Sequence, residues 1–599
     1  MVSSSRGTRA WLRILALAIG ATTAACNGSD GTSDASSSNQ DLSESTRSLA
    51  CEVHYFDAAT GTHIFKAAKG KASVTSLAQT PLLVTTPEGV EAAIRVVDSG
   101  KTVSVEVTQS GAHLGDGSYA LSSDPSFATD LQLPMQQPIV KDGSTYDYVW
   151  VGCVPGPPIA APLPANADRR EIQAQSIDTF VDALAPFTAW HEPVDADAVK
   201  ARERAAIMGG DGSDAVFLGA AWRTLNSFPQ GHQHLGAPGD GVCGKALPYM
   251  NASRFGVCGR PSAAGLVVTR ANPGNMLDLH VGDVIVEAGG DTGEAIFTSA
   301  YERPMCAPVF PAPSGRRAAG AASFFGTLPA GMLLEITPRY GGQRMLLAPA
   351  NGDAEPTDCT DIYGRDTQIY AEANLRADGV AVIRLPSFYP FDKTLPANPT
   401  QADFDAMAAA YQAEIQRVFE TVKSAPGIIW DARGNTGGIT PVALAIVSGF
   451  PGAQATQLSY CQSRVPGSNP PAFSGPRYAE YAITPGGPFA YTGKVAVVTD
   501  GLAYSAGDYF PFAAMKGGHA IVVGSATAGA FGGGDGPIDI AGPPALSANY
   551  DPTACFDATT GKPLEASPLS PTVEVDVDPK DVGTPTDTVI ERAAKELGF

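Results

Sequence analysis

The chain of 599 residues is 44% hydrophobic and 17% charged, enough apolar material for several cores and too little charge for disorder; roughly 150 residues per domain gives about three or four domains. A formal charge of -21, from 40 basic and 61 acidic residues, lacks the basic footprint of a nucleic-acid binder, so no DNA or RNA partner is expected. Gly and Pro, 65 and 48 residues, predict many turns and long surface loops.

Residues 1–26 set Arg6, Arg9 and Arg13 before the apolar run LALAIGATTAA, too short to span a bilayer and read as a secretory signal that is removed. The run ends in Thr23-Ala24-Ala25-Cys26. This resembles the lipobox at which a bacterial lipoprotein signal is cut and Cys26 is lipidated; an ordinary cleavage site with a chance cysteine is the alternative. Residues 27–48 are Ser-rich and acidic with one large apolar residue, Leu42, and read as a disordered tether. The address predicts a lipid-anchored protein of the cell envelope, at the outer membrane or cell surface, with a periplasm-facing position as the other choice.

Of nine cysteines, setting Cys26 aside leaves Cys51, Cys153, Cys243, Cys258, Cys306, Cys359, Cys461 and Cys555. An even number in an exported chain suggests disulfides, although eight cysteines allow on the order of a hundred connectivities. The short loop between Cys243 and Cys258 suggests that pair. No CxxC spacing supports zinc.

From 51 to 157, short alternating runs such as AAIRVVD and TVSVEVTQ predict a β-rich accessory domain without visible chemistry. Residues 170–236 shift to helical spacing, with Ile177, Phe180, Val181 and Leu184 on one face, and lead into GHQHLG. Residues 240–350 contain a strand, a turn, a short helix and a second strand entered by Gly282-Asp283. That stretch resembles a bacterial PDZ domain, which takes up an extended peptide on a strand edge beside an apolar groove. From 365 to 599, strands GVAVIRLPSF, GIIWDARGNTGG and KVAVVTDG alternate with helical stretches, an α/β pattern.

Three motifs stand in this last segment. Asp431-Ala-Arg433-Gly-Asn435-Thr-Gly437-Gly438 ends one strand, Ser505-Ala506-Gly507-Asp508 opens a helix, and Gly524, Thr527 and Gly529 follow. In this order they resemble the tail-specific or C-terminal-processing protease family and its tricorn-core relatives, over about residues 220–599. The resemblance implies an α/β catalytic core of the ClpP/crotonase-like kind, with a PDZ-like domain preceding or inserted, beside the N-terminal β-rich domain. It makes Ser505 the nucleophile, placed at a helix N-terminus whose amides favour developing negative charge. The Ala506 and Gly437 amides, with Gly438 as second candidate, would hold the oxyanion; glycine lets the backbone approach a carbonyl. The other reading of Ser505 is a plain helix N-cap.

The best-known branch of the family carries a lysine one residue after T-x-G, where this chain has Ala530. Lys516 lies eleven residues on, about 16 Å along a helix, and reads as a solvated helix end. The tricorn-like branch uses a histidine before the PDZ domain and a glutamate near the C-terminus. Gly231-His232-Gln233-His234-Leu235 and the GKPLEASPL segment fit those places. His232 is then the general base, His234 the runner-up, and Glu565 the group that orients the histidine or holds a water. Ser567-Pro568-Leu569 departs from the family's glycine there. His-x-His lacks a recognisable third zinc ligand, and Gly532-Gly533-Gly534-Asp535 lacks the Gly-Lys-Ser/Thr of a phosphate loop. Neither metal, nucleotide nor other cofactor is implied.

The expected function is an exported serine endopeptidase that cleaves polypeptides presented by the PDZ-like domain. The alternative is an inactive family member that binds peptides or another ligand as an envelope lipoprotein.

Overall fold

The computed structural model describes residues 48–56, 64–97, 102–120, 129–141, 144–156, 168–236, 243, 247–350, 357–359, 369–390, 401–464, 468, 470–533, 536–540 and 542–599. The signal, Cys26 and the tether through residue 47 lie outside the described residues, as do Gly534 and Asp535. Two compact units divide the chain: 1–159 with 395–404, and 160–394 with 405–599.

Alternation builds the first unit. One antiparallel sheet takes Ile64–Ser73, Ser48–Phe56, Ser144–Gly156 and Thr129–Lys141 in that spatial order; the other takes Leu82–Thr85, Val90–Val97, Thr102–Gln109 and Ala112–Ala120. Within Val90–Val97, Val90, Ala92, Ile94 and Val96 are buried while Arg95 and Val97 face out, because successive strand side chains point to opposite faces. Both sheets contribute to one apolar core around Val53, Tyr55, Val105 and Val151. A disulfide joins Cys51 to Cys153 at paired positions of neighbouring strands.

The second unit begins with helices Arg169–Leu184, Ala196–Gly209 and Asp214–Asn226, each opened by a side chain, Asp168, Asp195 or Ser213, that accepts an otherwise unpaired backbone amide. Ile177, Phe180, Val181 and Leu184 are buried in a core they share with Phe310, Tyr504, Ala528 and Ala530. The helices therefore pack directly behind the serine-bearing loop rather than around a core of their own.

Residues 257–347 form an antiparallel sheet in the order Val257–Ser262, Gly265–Ala271, Val284–Ala288, Leu333–Thr337, Arg344–Leu347, with Asp291–Thr292 added to the third strand. Helices Glu294–Tyr301 and Pro313–Thr327 cover it, and Gly320 lets them meet at backbone distance, since a Cβ there would lie 2.1 Å from the Phe297 carbonyl oxygen. Cys243 does not pair with Cys258. It joins Cys306, and Cys258 joins Cys359, with Cα separations of 5.8 and 5.6 Å. Pairing of Thr357–Asp358 with Ala252–Ser253 carries Cys359 to Cys258, and the bond from the Cys306 amide to the Pro248 carbonyl fixes Cys306 beside the Cys243 turn.

A second sheet organises the rest: Glu372–Leu375, Ala381–Arg384, Gly427–Asp431, Lys494–Thr499, Ile521–Gly524 and Val573–Glu574, parallel after the antiparallel first strand. Helices Gln401–Val422, Thr440–Val447 and Ala506–Lys516 cover one face around Trp430 and Phe510. Thr588–Glu596 covers the other, around Ile429 and Val498. All three motifs fall at the carboxyl ends of the parallel strands, where α/β sheets place their ligands.

Candidate active site

Ser505 stands six residues beyond the Lys494–Thr499 strand and immediately before helix Ala506–Lys516. Its φ is +58°, a region L residues occupy only when the surroundings hold them there, as happens at catalytic sites. Its amide donates to the Ala530 carbonyl at 3.2 Å and to Asp508 Oδ2 at 3.1 Å. Asp508 is wholly buried and also accepts from Gly529 N at 2.8 Å and Ala530 N at 3.0 Å, with the Thr527 side chain a further partner. Burial lifts its carboxyl to about 7 against the downward pull of those donors. One carboxyl thus ties the start of the helix to the loop after Ile521–Gly524.

The Asp431–Gly438 motif serves two purposes. Asp431 accepts from Arg433 Nε and Nη2, each at 2.8 Å, and Arg433 reaches Asp587, which caps helix Thr588–Glu596. This network locks the strand end to the final helix. The glycines meet the serine: a Cβ on Gly437 would lie 2.7 Å from Ser505 Cβ and 2.6 Å from the Tyr504 carbonyl oxygen, and its φ is +101°. The Gly437 amide, expected as an oxyanion donor, is already engaged by Asn435 Oδ1 at 2.9 Å. In the parallel bridge between Phe388 and Gly438, Phe388 uses both its backbone groups, accepting from Ile439 and donating to Gly437, which turns the Gly438 amide outward. Ala506 is the first residue of its helix, a position whose amide has no intrahelical acceptor. Among the described residues, the Ala506 and Gly438 amides are thus left without a backbone acceptor, whereas the Gly437 amide is taken.

The structure brings the 231–235 loop against Ala530 and Tyr504. A Cβ on Gly231 would lie 2.6 Å from Ala530 Cβ, so the loop fills the space beside the position where the lysine branch carries its base. The His232 amide donates to the Tyr504 hydroxyl, and the imidazole packs on the Tyr504 ring with centroids 4.9 Å apart. Burial, aided by His234, depresses the imidazole to about 4, so it is neutral and able to accept a proton at ordinary pH. His234 is instead held in the two-residue strand His234–Leu235 opposite Asn549, its amide on Asn549 Oδ1 at 2.6 Å.

Glu565 reaches the histidine through the backbone. Its carboxyl is buried and accepts from Gly231 N at 2.5 Å, Phe531 N at 3.0 Å and Gly532 N at 2.9 Å. Burial first and the Asp551 charge second push it up to about 8, against the Gly532 and Gly231 amides. Among the described residues, His232 Nδ1 has no hydrogen-bond partner although it is buried. Glu565 thus makes no hydrogen bond to that ring nitrogen.

Sequence reasoning passed over Tyr504, Asn549 and the duty of Asp508. For Asp508 the signal was present, since a serine followed three residues later by an acid is a helix-start signature; Tyr504 and Asn549 carried none. Lys516 is not a freely solvated helix end: it pairs with Asp557 and lies 4.8 Å from the Phe512 ring centroid. Among the described residues, no group of three His, Cys, Asp or Glu is placed to hold a metal ion.

Residues 379–542 match the model of Peptidase family S41. Among solved structures, the chain is similar to mature CPAF complexed with lactacystin (TM-score 0.52, 12% identity, covering 72% of this chain and 97% of that one) and to mature CPAF alone (0.51, 12%, 72% and 96%). A further similarity is to the photosystem II D1 C-terminal processing protease (0.35, 14%, 72% and 98%). No curated protein matches.

Proposed function

We propose, from the match of residues 379–542 to the model of Peptidase family S41, that this chain is a serine-type hydrolase acting on polypeptide, an exported, lipid-anchored endopeptidase with Ser505 as nucleophile and His232 as base. Ser505 Oγ adds to the scissile carbonyl as His232 takes its proton. The resulting oxyanion meets the Ala506 and Gly438 amides. Collapse breaks the C–N bond, the imidazolium returns the proton to the leaving amine, and a water deprotonated by His232 then hydrolyses the acyl-serine. Glu565 holds the base loop through Gly231. The convergence of the His232 loop on Tyr504 and Ala530, which flank Ser505 in sequence and in hydrogen bonding, is the observation that carries this reading.

The 257–347 sheet would present the substrate in the manner of a PDZ domain. Its edge strand Arg344–Leu347 leaves Met345 and Leu347 more than half exposed, which supports that reading. Cys26 would carry the lipid; loss of incorporated palmitate in Cys26→Ala tests it, and an unlabelled native chain refutes it.

The decisive experiment incubates the chain and its Ser505→Ala form with an unstructured peptide library and reads fragments by mass spectrometry. Cleavage confined to the native chain is expected. Peptides left intact by both, yet retained on the protein, would turn the reading toward a peptide-binding protein.

A further inference from the structure

His232 combines two features that a general base does not ordinarily tolerate together. Its φ is +66°, in the left-handed region, and its buried Nδ1 lacks a hydrogen-bond partner among the described residues. An imidazole base is usually oriented by a group on the second ring nitrogen. Here the orientation must come from elsewhere, and a strained backbone persists only where its surroundings over-determine it.

Side chains and backbone from four remote segments grip this turn. Glu565 accepts the Gly231 amide at 2.5 Å, and the Tyr504 hydroxyl accepts the His232 amide. Asn549 is bifunctional, donating from Nδ2 to the His232 carbonyl at 3.0 Å and accepting the His234 amide on Oδ1 at 2.6 Å. Between these, the Gln233 carbonyl accepts the Val309 amide at 2.7 Å. Every peptide group from 231 to 234 is thereby held at one end or the other, leaving the imidazole to be fixed by its own backbone and by the Tyr504 ring 4.9 Å away.

Tyr504 has a special place in that grip. It is the residue before Ser505, it is buried against Phe310 with ring centroids 5.2 Å apart, and its hydroxyl also lies 3.5 Å from the Val309 carbonyl. Burial raises its phenol well above the usual range, so it remains a neutral donor and acceptor.

We propose that Tyr504 and Asn549 are positioning residues that hold His232 in register with Ser505 through its main chain, replacing the side-chain partner that Nδ1 lacks. The inference rests on His232 being the base. Because Tyr504 is covalently joined to Ser505, one side chain transmits the position of the nucleophile to the base loop.

The test measures kcat, KM and the pH profile of peptide cleavage for the full chain and for Tyr504→Phe, Asn549→Ala and His232→Ala. Tyr504→Phe keeps the ring and removes only the hydroxyl. The expected result is a fall in kcat of about ten- to a hundred-fold, the scale of a small misplacement of a reacting group, with KM unchanged within about two-fold. The acid limb of kcat/KM should also move up toward the value of about 6.5 of a solvated imidazole, as the loosened ring gains water. Loss of folding alone would not move that limb in the molecules that remain active. Native kcat and an unmoved acid limb in Tyr504→Phe and Asn549→Ala, with His232→Ala inactive, overturn the inference and leave the base assignment intact. Full activity in His232→Ala overturns both. If Tyr504→Phe does not fold, Asn549→Ala decides by the same two readouts.

Discussion

The β unit and the strand-end region around Ser505 bury their side chains by opposite rules. Within the first unit, the core from Leu49 to Cys153 is almost wholly apolar, with Tyr55 satisfied by Thr86 and Glu88. Around Ser505, three carboxyls, Asp508, Asp551 and Glu565, are buried, and His232, Ser505 and Ala566 have positive φ. The first arrangement is what stability alone selects. The second carries strain and desolvated carboxyls, which a fold retains where groups must be held in reactive positions.

Substitutions that act on one rule and leave the other alone test this contrast. The largest effect should come from Asp508→Ala, which removes the shared acceptor of the Ser505, Gly529 and Ala530 amides. About 3–5 kcal/mol of stability in the second unit should be lost with all cleavage, read by denaturant unfolding. An unchanged midpoint would mean that the carboxyl does not organise the loops. Next comes Gly437→Ala, where the added methyl meets Ser505 and φ is unfavourable. Cleavage should drop about a hundred- to a thousand-fold, as when an oxyanion site is disturbed, while the melting of the β unit stays put; native turnover would refute the close approach.

The buried carboxyls also give stability a pH dependence of definite sign. Asp508 and Glu565, raised to about 7 and about 8, hold protons in the folded state that the unfolded chain has released, so stability falls as pH rises through those values. His232, depressed to about 4, acts in the other sense, but its contribution is complete above the ordinary histidine value of about 6.5. Between about 6.5 and 8 the decline should therefore stand alone, and thermal melts of Asp508→Asn should show a shallower one. A melting temperature that rises across this window would contradict the assignment. The smallest effect belongs to the β unit: Ile94→Val should cost about 1 kcal/mol with cleavage by the second unit unchanged, and altered turnover would show that the two regions are not separable.

Legibility follows how local the determining physics is. The strand Val90–Val97 was readable because its alternation is complete within eight residues. Ser505, Ala506 and Asp508 sit within one helical turn, and the glycines of 437–438 are marked by a backbone need that no other residue meets. Ala530 in place of a lysine is equally plain, and it leaves the upstream histidines as the candidate bases. His232 and His234 remained unresolved by pattern, since both lie in one polar turn. What distinguishes them is tertiary: His232 packs on Tyr504, 272 residues away, and His234 pairs with Asn549. Separation of 317 residues likewise hid the grip of Asn549 on His232, and one of 41 the ion pair of Lys516 with Asp557.

By itself, then, the sequence determined where strands and helices begin, which serine opens a helix, and where side chains are forbidden, because these depend on φ, capping and periodicity over a few residues. Only the tertiary structure decided the partners of Cys243 and Cys258, the backbone route from Glu565 to His232, and which amides remain open beside Ser505. Those outcomes depend on the volume left when distant segments pack, as where Gly231 meets Ala530, and no local rule contains that volume.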